Sequence, residues 1–264
     1  MREARYDRET TFHDKTFAEG TRRQAEKFYS ITHNSSKAFY RKYLTDHCLG
    51  SRVLEYGCGP DSHGLMLAQR GGRVTGIDIS SVAVSLNRTA AARQPNASIS
   101  FCVMNAEDLS FQNGTFDLIC GMGILHHLDL ERSYRELSRT LKAEGSAIFL
   151  EPLGHNPLIN LYRRLTPSLR TPDEHPLLSS DLEMAAEYFE SVELTYFHLT
   201  SLIAVVARRS DWFGKVLRRL EHFDNFLFRK LPWARNQAWA VAIILSKPKA
   251  LKSTSPGRDA RAMA

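Results

Sequence analysis

The residues with the most chemistry in this 264-residue chain come in an ordered series. The first group is Glu55-Tyr56-Gly57-Cys58-Gly59-Pro60, a glycine turn behind the apolar pair Val53-Leu54. Glycines let a backbone turn sharply and let a ligand approach with no Cβ in the way. A strand that feeds such a turn and then a helix presents unpaired N–H groups to an anionic or zwitterionic ligand. The second group is Asp78-Ile79, at the end of Val74-Thr75-Gly76-Ile77. An acid so placed can accept hydrogen bonds from both hydroxyls of a ribose. The third is Asn105-Ala106-Glu107, whose amide can pair with the edge of a heterocycle. Met122 follows, then the pair His126-His127, then Glu151 with His155, then Asp173-Glu174-His175-Pro176. Carboxylates beside imidazoles can move protons near neutral pH. Loop capping and turn chemistry around the prolines is the other role open to the last two groups.

These groups must be held by an alternation of strands and helices. Arg52–Tyr56, Arg73–Ile77, Ser98–Val103, Phe116–Met122 and Ser146–Leu150 read as five apolar strands. A helix over Ser62–Arg70 stops at Gly71-Gly72, and Ser80 or Ser81 caps another that buries Val82, Val84, Leu86 and Ala90. Leu130, Tyr134, Leu137 and Leu141 recur at helical spacing, and Gly145 closes that helix. Val192–Phe197 and Ala238–Leu245 are two further strands. Strands apolar on both faces, alternating with helices, imply a doubly wound, mostly parallel α/β sheet of seven strands covered on both faces. The expected organisation is a helical cap over residues 1–50 and one domain over 51–248, with inserts at 152–182 and 198–233. A basic, disordered tail is expected over 249–264.

Dinucleotide enzymes use a third glycine where this chain has Ser62, so that pattern is broken. What remains resembles the first motif of the class I S-adenosylmethionine (SAM) dependent methyltransferases, with Asp61 where the family often has another glycine. Asn105-Ala106-Glu107-Asp108-Leu109 resembles the family's element beside the adenine, and Phe116–Ile119 with Gly123–Leu128 resembles its fourth motif. Leu141-Lys142-Ala143-Glu144-Gly145 matches the following turn loosely. The resemblance covers residues 52–151 and implies a Rossmann-like fold and SAM as cofactor. The group it is most similar to includes small-molecule and quinone methyltransferases. The cofactor residues are then expected to be Tyr29, Glu55, Gly57, Cys58, Gly59, Asp78, Ile79, Asn105, Ala106, Glu107 and Met122. Phe28-Tyr29 could close over the cofactor as N-terminal helices do in related enzymes; a core or dimer contact is the alternative. The catalytic candidates are His155, His126, His127 and Glu151, and no residue is assigned to a metal.

Composition narrows the partners. Much of the formal charge of +6 sits after residue 246, where five basic residues face the single acid Asp259. The body is nearly balanced, which argues against a polyanion-binding surface. The place after strand four holds Gly121-Met122-Gly123-Ile124, with no proline to shape a flipped-base pocket, and Cys120 follows Ile119 rather than a proline. A nucleic-acid or protein substrate is therefore disfavoured. Cys48, Cys58, Cys102 and Cys120 form no Cys-x-x-Cys pair and read as small hydrophobes. With no signal peptide and no run of about 18 apolar residues, a cytoplasmic protein is expected. Residues 212–233 set Trp212, Phe213, Leu217, Leu220, Phe223 and Phe226 among lysines and arginines. Such a helix can rest on an anionic membrane, roof an apolar pocket or pack as core. The leading expectation is methyl transfer to a small, apolar acceptor such as a natural product, quinone or lipid. A SAM-binding regulatory protein without chemistry is the rival from another class.

Overall fold

The computed structural model describes residues 2–19, 35–167, 171 and 173–250. Phe28, Tyr29 and residues 251–264 lie outside the described residues, and with them the expectations placed there. In chain order the elements are α1 (Arg2–Glu19), α2 (Ser36–His47), β1 (Arg52–Tyr56), α3 (Gly64–Gln69), β2 (Arg73–Asp78), α4 (Ser81–Ala92), β3 (Ile99–Val103) and β4 (Phe116–Met122). A 3-10 turn at Leu125–His127 leads to α5 (Leu130–Thr140), β5 (Leu141–Pro152), α6 (Pro157–Leu165), α7 (Ser179–Tyr188) and β6 (Phe189–Phe197). A 3-10 segment, Thr200–Ala207, then α8 (Phe213–Lys230), α9 (Pro232–Arg235) and β7 (Ala240–Pro248) complete the chain.

The strands make one seven-stranded sheet in the order β3-β2-β1-β4-β5-β7-β6. The first five are mutually parallel, and β7 runs antiparallel between β5 and β6. The order reverses between β1 and β4, so the crevice beyond the carboxyl ends of these strands is where a ligand is expected. Alternation along the strands sends side chains into two cores. Leu54, Tyr56, Ile119, Ala147 and Phe149 join Tyr134 and Leu137 of α5 on one face. Val53, Leu118, Cys120 and Ile148 join Tyr40 and Leu44 of α2 on the other. All four cysteines are free thiols, and Cys48, Cys58 and Cys120 are buried.

The helix starts follow from side-chain caps. Ser80 accepts from Ala83 N–H at 3.1 Å, Asp129 from Arg132 N–H at 3.2 Å, and Asn156 from Leu158 and Ile159 N–H ahead of Pro157. Two expectations need correction. α4 buries Ala83, Val84 and Asn87, while Leu86 is exposed, because the Asn87 amide donates to the carbonyls of Gly59 and Ala83. α5 ends at Thr140, and Gly145 lies within β5 rather than closing the helix. There β5 shifts register against β4, and Lys142 reaches Asp117 at 2.7 Å.

Candidate active site at the carboxyl ends of the strands

The glycine turn leaves β1 with φ of +71° at Gly57 and +53° at Gly59. A Cβ at Gly57 would lie 2.6 Å from Cγ1 of Ile124, whereas one at Gly59 would meet nothing within 4 Å. The loop is closed beneath Gly57 and open above Gly59. Asp61 does not adopt positive φ, so the absence of a further glycine costs the turn nothing. Glu55, expected at the cofactor, spends its carboxylate on the loop. It accepts from the Ser62 hydroxyl and from the N–H groups of His63 (2.7 Å) and Gly64 (3.1 Å) at the start of α3. It is a positioning residue, with its charge at the positive end of that helix.

Asp78 is buried at the end of β2 and joins two loops. Its Oδ2 accepts from Gly59 N–H and its Oδ1 from Ser80 N–H, each at 2.8 Å. Ile79 is half-buried beside it. Cys58 is buried behind the loop, where desolvation pushes its thiol well above the usual range. The end of β3 presents Asn105, whose Oδ1 accepts from Glu107 N–H at 2.9 Å. The Ala106 carbonyl accepts from the buried Tyr56 hydroxyl. Glu107, expected at the cofactor, instead holds Asp129 N–H at 2.9 Å and pairs with Arg5 of α1. Met122 ends β4, half-buried against the α2 side of the sheet.

The histidine pair lies in the 3-10 turn after β4. Glu151, fully buried at the end of β5, accepts from Ile124 and Leu125 N–H with Oε1 and meets His126 Nδ1 at 2.7 Å with Oε2. Burial pushes the Glu151 carboxyl up to about 7, against the pull of those N–H groups. When Glu151 is ionised, its contact with Nδ1 favours the tautomer that carries the proton there, with Nε2 as the other ring nitrogen. His126 Nε2 lies 4.0 Å from Glu174 Oε1 of the insert. His127 is also buried, and burial followed by its histidine neighbour lowers its pKa.

His155, expected among the catalytic groups, has its Nε2 turned to α7, where Ser179 N–H donates at 3.1 Å. The lone pair a base would use is taken by a helix start. His175 is exposed.

A helical cap was expected over residues 1–50, but sequence reasoning did not foresee what α1 within it touches. This polar helix lies across the loop ends: Arg8 pairs with Asp173 at 2.8 Å, Glu9 approaches His127 at 3.3 Å, and Asp14 accepts from Ser80, Ser81 and Val82 at the start of α4. The available signal was Glu9 and His13, an acid and an imidazole one helical turn apart.

Residues 54–149, from within β1 through most of β5, match the family model for the methyltransferase domain, while α1, Glu151 and the insert after β5 lie outside the match. The matched stretch of the chain is a methyltransferase domain. Among curated relatives, the ubiquinone biosynthesis O-methyltransferase of Acinetobacter baylyi is 28% identical over 114 residues, 43% of this chain and 48% of that protein. The chain thus spans about half the length of that relative. The enzyme of the same name from Albidiferax ferrireducens is 28% identical over 62% of this chain and 67% of its own. Of the solved structures, the Haemonchus contortus phosphoethanolamine N-methyltransferase 2 complex superposes with a TM-score of 0.63 at 17% identity, over 91% of this chain and 60% of that one. Geranyl diphosphate C-methyltransferase from Streptomyces coelicolor gives 0.56 at 17% identity, over 81% of each. At such identities the likeness is one of fold.

Proposed function

We propose that this methyltransferase moves the methyl group of SAM onto a small, largely apolar acceptor, with His126 as the base that takes the acceptor's proton. The observation that carries this is the His126–Glu151 pair, buried at the end of the same parallel strands that end in the Gly57–Gly59 turn and Asp78. The site suits SAM on its own geometry. The loop face is open at Gly59, and the buried Asp78 carboxylate stands at the end of β2 bonded to the Gly59 N–H of that loop, where an acid suits a ribose. Asn105 follows Met104, whose N–H donates to the Asp78 carbonyl, and its amide is the group for the adenine edge. Bound there, SAM would supply an electrophilic methyl carbon. The chain's part is to align an acceptor and accept its proton on His126 Nε2, while Glu151 fixes the ring and balances the imidazolium. Ubiquinone biosynthesis and geranyl diphosphate enzymes among the similar proteins support an apolar acceptor.

The test is calorimetry with SAM, followed by a labelled-methyl screen of quinols, phenols and prenyl compounds. His126→Asn is expected to lower kcat by about 10²-fold or more with SAM affinity nearly unchanged. Turnover equal to wild type would remove His126 as base, and absence of SAM binding would remove the whole reading.

A second reading concerns where the acceptor comes from. Among the described residues no helix is long and apolar enough to cross a membrane. Yet Ile203, Val206, Trp212, Phe223, Phe226 and Trp233 are exposed, and Ile203, Val206, Trp212 and Val216 border an open hollow of about 540 Å³. Arg209, Arg219, Arg229 and Lys230 share that surface or helix. This supports peripheral contact of residues 212–233 with an anionic membrane. Flotation with phosphatidylserine vesicles tests it, and a protein that stays at the bottom of the gradient rules it out.

A further inference from the structure

Glu9 is one of the most buried charged residues of the described chain, yet neither of its carboxylate oxygens has a hydrogen-bond partner. It faces two imidazoles. His13 Nε2, one turn along α1, and His127 Nδ1, from the turn after β4, each lie 3.3 Å from Glu9 Oε2. Neither approach has hydrogen-bond geometry, and His127 Nδ1 is buried with no hydrogen bond. A buried carboxylate without a hydrogen bond is unfavourable, and two imidazoles offset its charge only when protonated, so with neutral rings the arrangement suits a cation.

The spacing says which kind. Ligand atoms about 2.0–2.2 Å from a tetrahedral ion stand about 3.3–3.5 Å apart. One atom from each of Glu9, His13 and His127 lies within 4.8 Å of the other two. Two imidazole nitrogens and one carboxylate oxygen are a donor set for Zn²⁺ or a similar borderline divalent ion, with a fourth position open. The buried hydroxyl of Thr171 lies close enough to act on the Glu9 carboxylate, without a well-formed hydrogen bond. His126 does not join, because Glu151 already holds its Nδ1.

We propose that Glu9, His13 and His127 bind one divalent cation of the Zn²⁺ class, which clamps α1 across the carboxyl ends of the strands. Two of the ligands come from the helix and the third from the turn after β4, so the ion would join the two directly. The sequence had assigned no residue to a metal. The inference is independent of the methyl-transfer reading, because its test reads metal binding and helix protection rather than turnover.

The full chain is stripped with chelator and titrated with Co²⁺ or Zn²⁺ alone. One ion per chain is expected, with Co²⁺ giving the visible absorption of a four-coordinate site. Glu9→Gln, His13→Gln and His127→Gln should each weaken binding at least about tenfold, whereas His47→Gln, on an exposed helix end, should not. In the wild type the ion should slow amide exchange over residues 2–19, a readout that stands even if a variant fails to fold. No ion bound by the wild type, equal affinity in the three variants, or unchanged exchange in α1 would each overturn the site.

Discussion

Gly57 has no room for a methyl group. Its φ of +71° is a left-handed conformation that costs an L side chain about 1–2 kcal/mol, and the new Cβ would press on Ile124 Cγ1 and Cβ at 2.6 and 3.0 Å. Gly57→Ala should therefore destabilise by about 3 kcal/mol in urea unfolding and weaken SAM binding, because the turn must shift. Gly59→Ala meets open space and should cost only about 1 kcal/mol. Adding Ile124→Ala to Gly57→Ala should recover the steric part, and a strictly additive double-mutant cycle would show that the clash is not the cause. The two glycines read alike in the sequence. Ile124, 67 positions away, decides between them, and no local pattern displays that pairing. The same holds for Glu55 and His155: their residue types suggested a ligand and a base, but each is committed to a helix start that the sequence did not pair with it.

Elements were legible where burial imposes a period. The five parallel strands could be read because both faces are covered, so their apolar runs stop where the chain leaves the sheet. α1 left no such trace, since its contacts with the loops are mostly ion pairs and polar groups. Helix faces were less certain, as Asn87 shows by taking the buried side that Leu86 was expected to hold. The insert after β6 has its own lock. Asp224 of α8, nearly fully buried, accepts from the N–H groups of Leu199, Thr200 and Ser201 and from the Thr200 hydroxyl, at 2.6–3.1 Å. It anchors the 3-10 segment onto α8 through four charge-assisted bonds. Asp224→Ala should cost about 3 kcal/mol, and Asp224→Asn less. Amide exchange at 199–201 should accelerate with the loss, and unchanged protection there would show that α8 is held by packing alone.

At the scale of the molecule, pH joins these local features to global stability. His198 joins β6 to α2, with its Nε2 2.9 Å from the Ser36 hydroxyl and φ of +64°. Burial lowers its pKa to about 4, although Asp224 pulls the other way. An unfolded histidine titrates near 6.5, so between pH 6.5 and 4 the unfolded chain binds the extra proton. The penalty is absent above pH 6.5, grows as pH falls, and is complete below about 4. Within that window stability should decline by up to about 1.4 kcal/mol per pH unit from this group. Glu151 acts in the opposite sense. Its folded pKa of about 7 exceeds the ordinary 4.5, so what it contributes is fully present below pH 4.5 and lost as pH rises through 7. The two slopes oppose each other from pH 4.5 to 6.5, and a wild-type curve alone would hide both. The difference between wild type and His198→Gln, followed by urea unfolding from pH 7.5 to 4, cancels the Glu151 part. That difference should be constant above pH 7 and shift steadily in favour of the variant as pH falls. A difference flat across the window would mean that His198 titrates alike in the folded and unfolded chain, with the pull of Asp224 offsetting burial.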